Sequence, residues 1–439
     1  QGLKWPRVQR YSPSILRGPT IHARSTFITR PEIGMPMLLW STWALAMAPL
    51  LAAHDIRAVR HLRRGGGSAA DSRAARGNLS LVDGVGHTTS VLKSQYPWYH
   101  TSAEILAEIR RLGKNCHGAL SHRTMSRPGA DINVVRLRLR GTDPVSRVFI
   151  LFGEHSRELI SPESGLYLLR TLCGDAPAPG GPAHAALRSS EFEMVLNGNP
   201  QSRLAVERGD FCLRANPNGV DLNRNWDEHW SEASATMNTE PGAAPFSEPE
   251  TRIFKELVSE FNPTAFLTVH SGTRGLYMPW AYDTVHLARR NQGAMLEILR
   301  AIDREHCQCP YGAAGKEVGY ACPGTCLDWV YDQLDTPYVF AFEVYVSPQY
   351  DASLRDRWEE KVRSGKAALL QDGGHFGHED LADMFRKHPS DFVQVSGAVR
   401  ASQLPESCFE TFNPVTSESY HETVRNWASA YLQMSELVA

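Results

Sequence analysis

Four titratable side chains in this chain follow or interrupt strongly apolar segments, and their placement constrains the fold more than any other feature. They are His155 and Glu158 after residues 148–152, His270 after residues 265–269, and Glu343 within residues 338–345. Short continuous apolar runs of this kind predict buried strands. In open α/β sheets, side chains at the carboxyl ends of strands meet at one edge, and binding sites form there. We therefore expect an α/β fold with one polar site at that edge.

The spacing of His155, Glu158 and His270 is typical of the ligands of a catalytic zinc ion. A histidine, a carboxylate three residues later and a distant second histidine supply three protein ligands and leave one coordination position open for water. Each residue also has a simpler interpretation. His155 could be a hydrogen-bonded loop histidine, Glu158 a solvated acid favoured by a helix dipole, and His270 a core histidine. Their joint occurrence favours a zinc site and predicts a metal-assisted hydrolase.

Glu343 is a carboxylate inside an otherwise apolar predicted strand. Burying a carboxylate is costly unless the group is paired or used. One interpretation is a buried ion pair. The other is a general base beside the zinc-activated water, because desolvation would raise its pKa toward the working range while the metal lowers that of water.

A polar segment between the two histidines carries Arg214, Asp221, Asn223 and Arg224. A guanidinium group can bind a carboxylate through two parallel hydrogen bonds. It can also stabilise the negative oxygen that develops when a carbonyl is attacked. The alternative interpretation is a polar loop with surface arginines.

Predicted helices alternate with the predicted strands. Thr101 with Glu104 predicts a capping box, and Ser247 with Glu250 predicts a second helix start. The helices are expected at residues 103–112, 161–172, 247–260 and 416–438, with a further strand at residues 134–139. The last helix should bury one side, formed by Tyr420, Val424, Trp427, Ala430, Tyr431 and Met434.

Five motifs occur in one order along the chain. They are Gly-Glu-His-Ser-Arg-Glu at residues 153–158, Gly-Val-Asp-Leu-Asn-Arg-Asn-Trp at residues 219–226, Thr-Val-His-Ser at residues 268–271, Tyr320 eight residues before Asp328-Trp329, and Phe342-Glu343. The set resembles the zinc metallocarboxypeptidases of the pancreatic type (family M14), and is similar to one-domain members from plants and protists. The resemblance implies a three-layer α/β/α fold with a central mixed, largely buried β-sheet. It also implies removal of one C-terminal residue from peptides or proteins with one Zn²⁺ per chain.

The resemblance implies a role for each motif residue. The metal ligands would be His155, Glu158 and His270, with Asp221 orienting His155 from behind. Glu343 would be the general base and proton shuttle, and Arg214 would polarise the carbonyl. The substrate would be bound by Asn223 and Arg224 at its carboxylate, by the mobile Tyr320 and, at an upstream subsite, by Arg157.

The specificity pocket follows from the resemblance alone. Leu327 and Ala281 stand at the positions where members specific for basic residues carry an acid. Further pocket positions are Gly315, Gly319, Cys322 and Ala341, none of them charged. This composition predicts a preference for neutral or apolar C-terminal residues, although Arg274 could select Glu instead. A Cys322–Cys326 bridge, if formed, would stiffen the Tyr320 loop.

The first hundred residues differ in composition from the rest. We expect residues 1–34 to be a presequence or upstream translation, residues 35–53 a signal peptide or an N-terminal anchor helix, and residues 54–95 a flexible linker or processed segment. The catalytic domain would span residues 96–439, with an insertion at about residues 351–405 and no need for release of a large propeptide. These expectations indicate the secretory pathway, with an extracellular, vacuolar or lysosome-like destination, or an organelle.

The composition of the chain limits the classes of partner that it is expected to bind. The chain has 439 residues, of which 21% are charged, and a net charge of −2, so no global field favours nucleic acid or an anionic membrane. Eight cysteines behind a signal segment favour disulfides, although a structural metal at Cys307, Cys309, Cys322 and Cys326 is an alternative. We expect a monomer that binds peptide or protein C-termini.

Two rival functions remain after these arguments. One is an enzyme of the same fold that cleaves another amide, such as an acylated amino acid or a side-chain polyglutamate. The other is a non-catalytic protein that has kept a zinc pocket. The presence of every ligand and of the base argues against the second, and a substrate profile would separate the first.

Overall fold

A computed structural model describes residues 90–116, 119–177, 183–234, 239–351 and 405–439, all within the compact unit Asp83–Ala439. Its strands are β1 (Leu120–Arg127), β2 (Ala130–Leu137), β3 (Ser146–Phe152), β4 (Ser190–Val195), β5 (Ala265–His270), β6 (Thr273–Met278), β7 (Tyr311–Ala313) and β8 (Tyr338–Tyr345). Its α-helices are α1 (Val91–Gln95), α2 (Ser102–Asn115), α3 (Ile160–Leu172), α4 (Ala183–Ser189), α5 (Pro200–Glu207), α6 (Pro249–Phe261), α7 (Gln292–Ile302), α8 (Ala314–Val318), α9 (Cys326–Leu334), α10 (Pro405–Phe412) and α11 (Ser417–Leu437). Short 3₁₀ turns lie at Leu222–Arg224 and Glu232–Ser234, and a π-helical turn lies at Asp303–Cys307.

The strands form one mixed sheet in the order β1-β2-β4-β3-β5-β8-β6-β7. The four central strands β4, β3, β5 and β8 run parallel, and the sheet turns antiparallel toward β2 and β1 on one side and at β6 on the other. Every residue of β4 and β5 is buried, as expected for parallel strands covered on both faces. The predicted α/β fold with a largely buried mixed sheet is confirmed.

Helices cover the sheet and supply the rest of the core. One group, α3, α4, α7 and α11, packs together, while α6 contacts β1, β2 and β3 and α9 contacts β5 and β8. The six residues predicted to face inward from α11 are all buried. The Trp427 indole N–H donates to the Val344 carbonyl at 2.7 Å, which fastens α11 to the end of β8.

The four predicted helices begin and end close to those observed, whereas the strand predicted at residues 134–139 is β2 (Ala130–Leu137), which begins four residues earlier. The capping box of Thr101 and Glu104 is present at the start of α2. The predicted Ser247 cap is wrong, because α6 begins at Pro249 after Glu248, and the Ser247 hydroxyl bonds to the Glu248 carboxylate instead. The described residues include α1, where Leu92 is fully buried and the Ser90 hydroxyl donates to the Glu207 carbonyl. This helix precedes residue 96, where the catalytic domain is expected to begin.

Three disulfides occur among the described residues. They join Cys116 to Cys173, Cys212 to Cys408, and Cys307 to Cys309. The alternative of a structural metal at these cysteines is wrong, because Cys307 and Cys309 pair with each other. Cys322 and Cys326 are buried free thiols, so the bridge considered for the Tyr320 loop is not formed.

Several predictions concern residues outside the described ranges. These are the presequence, the signal or anchor segment, most of the linker and nearly all of the insertion at residues 351–405. Within the ranges that the structure describes, no helix is both long and apolar enough to cross a bilayer.

Candidate active site and metal centre

The ends of β3 and β5 are tied together directly beneath the site. After β3 the chain turns at Gly153, whose φ of 71° suits glycine, and a Cβ there would lie 2.9 Å from the Pro162 ring. The Ser161 hydroxyl accepts a hydrogen bond from the Gly153 N–H and donates one to the Val269 carbonyl. This tight turn brings His155 and Glu158 to the end of the neighbouring strand, where His270 lies.

His155, Glu158 and His270 converge on one point. The Nδ1 of His155 lies 2.8 Å from Glu158 Oε1, and the Nδ1 of His270 lies 3.1 Å from His155 Nδ1 and 3.2 Å from Glu158 Oε2. Ligands of a tetrahedral zinc ion at about 2.0–2.1 Å are separated by about 3.3 Å. All three side chains are buried, and they form the metal-ligand group found among the described residues.

The surroundings determine which atoms of the group can bind a cation. The Nε2 of His155 lies 3.0 Å from Asp221 Oδ1, an oxygen that can only accept, so the ring proton is on Nε2 and Nδ1 carries a lone pair. A carboxylate and two imidazole Nδ1 atoms therefore face each other at close range. Because a cation satisfies such a set of lone pairs, the donors present fit Zn²⁺.

The carboxylates around His155, Glu158 and His270 also favour a positive charge at this position. Burial opposes a charged His270, but the Glu154 and Glu158 carboxylates outweigh it and raise the pKa of His270 to about 10. Burial would likewise raise the pKa of Glu158, yet the two imidazoles lower it overall. The pKa of the buried Asp221 is held well below its usual range, against the effect of burial, chiefly by the Arg214 guanidinium.

A cavity of about 580 Å³ opens above these ligands. It is lined by all of the predicted catalytic and substrate-binding residues, namely Arg157, Arg214, Asn223, Arg224, Ala281, Tyr320, Leu327 and Glu343. Asp221 lies on the other side of His155, within hydrogen-bond distance of its Nε2. The Arg214 guanidinium donates to Asp221 Oδ2 at 2.9 Å and lies 3.4 Å from Glu158 Oε1, so it is fixed beside the metal ligands.

Glu343 is positioned by the sheet. It pairs in register with His270 across β5 and β8, so the two side chains share one end of the sheet. Among the described residues, no donor lies within hydrogen-bond distance of its buried Oε2. Burial raises the pKa of Glu343 to about 8, although the charge of His270 opposes the shift. A carboxylate in this state can accept and release a proton near neutral pH.

The substrate-binding half of the cavity differs from the predicted pocket in three respects. Gly315 and Gly319 are not among the lining residues, and a Cβ at Gly315 would lie 2.4 Å from the Asp283 carbonyl oxygen. Arg274 does line the cavity, but it donates to the Cys307 carbonyl and lies 3.6 Å from Asp351. Glu317 lines the cavity as well, and no motif pointed to it.

The part of the cavity wall that Phe412 forms beside Arg157 was also not predicted from the sequence. The Arg157 guanidinium lies 4.0 Å from the centre of the Phe412 ring, and burial together with the nearby Arg214 charge lowers its pKa to about 10. The Phe412 carbonyl accepts from the Ser271 hydroxyl at 2.8 Å. Phe412 ends α10, beyond the predicted insertion, where the sequence offers no recognisable signal.

Known zinc carboxypeptidases resemble this chain in sequence. The zinc carboxypeptidase family profile matches residues 105–362. The chain is 26% identical over 280 residues to zinc carboxypeptidase A 1 of Anopheles gambiae, covering 58% of this chain and 63% of that protein. It is 27% identical over 296 residues to carboxypeptidase A1 of Sus scrofa, covering 61% and 67%. The first match therefore spans less than two thirds of the relative's length.

The fold has counterparts among solved structures. The crystal structure of thrombin activatable fibrinolysis inhibitor superposes with a TM-score of 0.50 at 22% identity, covering 56% of this chain and 66% of that one. At this identity the likeness concerns the fold alone. The family profile, which matches more than half of the sequence, shows that the chain belongs to the zinc carboxypeptidase family.

Proposed function

We propose that this protein is a zinc-dependent carboxypeptidase that hydrolyses the last peptide bond of peptides and proteins. The observation that carries the proposal is the buried Glu343 Oε2, which lacks a donor among the described residues and shares one cavity with the three metal ligands. A structural metal site would need no such proton acceptor, and it would not open onto a cavity of about 580 Å³.

The chain's own residues account for each requirement of the reaction. Zinc, when bound, supplies a Lewis acid and makes water more acidic. Glu343 accepts the proton of the attacking water and passes it to the leaving amine nitrogen. The Arg214 guanidinium, held by Asp221, donates toward the carbonyl oxygen as negative charge develops there.

The opposite side of the cavity would hold the end of the substrate. Asn223 and Arg224 would bind the terminal carboxylate, and the Arg224 Nη1 donates to the Asn223 carbonyl at 2.6 Å, which fixes the arginine near the amide. Tyr320 is 49% exposed at the cavity rim, where it would close over a bound peptide. Arg157 would contact residues upstream of the cleaved bond.

We further propose a preference for uncharged C-terminal side chains. Leu327, Ala281 and Ala341 line the cavity and are apolar, and Cys322 presents a thiol whose pKa is raised by burial. Arg274 is engaged by Cys307 and Asp351, which weakens the case for a site selecting Glu.

Secretion and a monomeric state belong to the same proposal. Three disulfides are typical of oxidising compartments, in agreement with the expected signal segment. All metal ligands, the proton acceptor and the substrate-binding residues come from one chain, so a single copy suffices for catalysis.

The test is a panel of blocked dipeptides that differ only in the C-terminal residue, assayed with and without a zinc chelator. Glu343→Gln should abolish release while zinc content stays at that of the wild type. Near-normal turnover by this variant would refute the assignment of Glu343. No release from any dipeptide by zinc-loaded protein would instead favour another amide substrate or a binding protein.

A further inference from the structure

A second buried carboxylate, Glu154, lies behind the metal cluster and has no part in the mechanism above. Its side chain is 1% exposed, and its Oε1 has no hydrogen-bond partner among the described residues. A buried carboxylate is costly without a compensating charge or donors. Its Oε2 is within reach of the Thr268 hydroxyl, the Cys326 thiol and the Nε2 of His270.

The distances define a chain of hydrogen bonds. The Thr268 Oγ1 lies 2.8 Å from Glu154 Oε2 and 2.9 Å from His270 Nε2. A carboxylate oxygen only accepts, and a hydroxyl has a single proton. The Thr268 proton therefore goes to Glu154, and the hydroxyl oxygen must accept the proton on His270 Nε2.

A second neighbour of the ring does not change this assignment. The Asn223 Nδ2 lies 3.3 Å from His270 Nε2, while the Asn223 Oδ1 accepts from the Cys326 backbone N–H at 3.0 Å. The amide nitrogen is a donor and cannot take the ring proton. The acceptors that remain are the Thr268 oxygen at 2.9 Å and Glu154 Oε2 at 3.5 Å, and the nearer one is Thr268. With the proton on Nε2, the lone pair is on Nδ1, which faces the metal ligands.

We propose that Glu154, acting through the Thr268 hydroxyl, is a positioning residue that holds His270 in its metal-binding tautomer and strengthens zinc binding. The inference rests on the zinc site of the proposed function. Asp221 bonds directly to the ring of His155 on the side away from the metal. Glu154 would play the same part for His270, with the Thr268 hydroxyl between the carboxylate and the ring. Groups behind metal-bound histidines commonly change metal affinity by about 10- to 100-fold when removed.

The decisive comparison is between two substitutions of the same residue. Thr268→Val keeps the shape but removes the hydroxyl, whereas Thr268→Ser keeps the hydroxyl. We expect Thr268→Val to raise the zinc Kd by about 10- to 100-fold, and Thr268→Ser to remain within about threefold of the wild type. Glu154→Gln keeps an amide oxygen that can accept the Thr268 proton but removes the negative charge, so the zinc Kd should rise by less than in Thr268→Val. The double variant Glu154→Gln/Thr268→Val should be no worse than Thr268→Val alone, because Glu154 acts through the hydroxyl that is already lost.

The measurement is competition for zinc with a chromogenic chelator in the full-length protein without substrate, alongside the thermal midpoint. Glu163→Gln is a matched control, because Glu163 is also buried and bonds a histidine, His100, far from the metal ligands. It should lower the midpoint without changing the zinc Kd. If Glu154→Gln does not fold, the two Thr268 variants still decide the question.

Two results would overturn the proposal. One is a wild-type zinc Kd in folded Thr268→Val, and the other is an equal loss in Thr268→Ser. Because the readout is metal affinity, the outcome is separate from that of the proposed function. A protein that binds zinc in this way but hydrolyses no peptide would support the positioning role and refute the carboxypeptidase assignment.

Discussion

Removing the Cys212–Cys408 disulfide should damage both stability and the substrate-binding wall. The bridge anchors α10, and the chain just after it reaches the site. The Asn413 side chain accepts from the Ile160 N–H at 3.0 Å and donates to the Arg157 carbonyl at 2.9 Å. Arg157 in turn stacks on Phe412. The perturbation is the double variant Cys212→Ala/Cys408→Ala.

The size of the stability effect follows from the length of chain that the bridge closes. Cys212 and Cys408 are 196 residues apart, and Cys116 and Cys173 are 57 apart. In the loop-entropy account these bridges stabilise the folded state by about 5 and about 4 kcal/mol, with measured values commonly lower, at about 2–4 kcal/mol. We expect the longer bridge to cost about 1 kcal/mol more when removed.

The assay pairs urea denaturation with steady-state hydrolysis of a blocked dipeptide. The matched control is Cys116→Ala/Cys173→Ala, because that bridge ties α2 to the end of α3 and contributes no residue to the cavity. At a temperature where both variants are folded, the control should keep the wild-type KM. Loss of Cys212–Cys408 should raise KM severalfold, because the wall formed by Arg157 and Phe412 loosens.

Two outcomes would refute this reasoning. If the control lost as much affinity for substrate as the Cys212–Cys408 variant, the effect would be one of general stability. If the Cys212–Cys408 variant kept the wild-type KM while losing stability, the bridge would not position the substrate-binding wall.

Three further predictions follow. Burial raises the pKa of Glu317 to about 7, so this carboxyl is neutral below that pH and charged above it. The rate of hydrolysis of substrates ending in Lys, relative to substrates ending in Leu, should therefore rise by about tenfold between pH 6 and 8. If this ratio depended on pH equally in Glu317→Gln, the prediction would be contradicted. Gly272→Ala places a Cβ 2.4 Å from the Phe412 ring at a φ of 120°, which should lower the free energy of unfolding by about 1–3 kcal/mol in urea titrations; an unchanged value would be inconsistent with the packing. Removing zinc with a chelator should lower the thermal midpoint, because saturating ligand at about 1,000 times Kd contributes about 4 kcal/mol; the idea fails if metal-free protein melts like the loaded form.

The elements that carry the site could be predicted because the local sequence of each one favours the secondary structure that it adopts. Residues 338–345 form β8 with the expected bounds, since a short run that is apolar except for Glu343 is typical of a buried strand. β4 was not predicted, because Glu191 and Glu193 interrupt its apolar residues and no continuous apolar run marks it. Both glutamates are buried, because the neighbouring strands β2 and β3 supply Arg136 and Arg147, and β1, one strand further, supplies Arg123. Such pairing is a tertiary property.

The site also has one part that could be predicted from the sequence and another that could not. Metal ligands obey strict spacing rules, so His155, Glu158 and His270 could be named from the sequence. The cavity wall obeys none, because any segment that packs nearby can supply it. Glu317 comes from the short α8, and Phe412 from beyond residue 404. Glu154 lay inside a recognised motif, but its purpose depends on Thr268, which is 114 residues away.

The wide separation of the interacting residues has a consequence for biosynthesis. His155 and His270 are 115 residues apart, and the Ser164 hydroxyl beneath them bonds to Tyr431 across 267 residues, near the end of the chain. A nascent polypeptide that has delivered His155 to the solvent still lacks the strand of Glu343 and the helix of Tyr431. The metal-ligand group and its supporting helix therefore assemble only after the chain through Tyr431 has been synthesised.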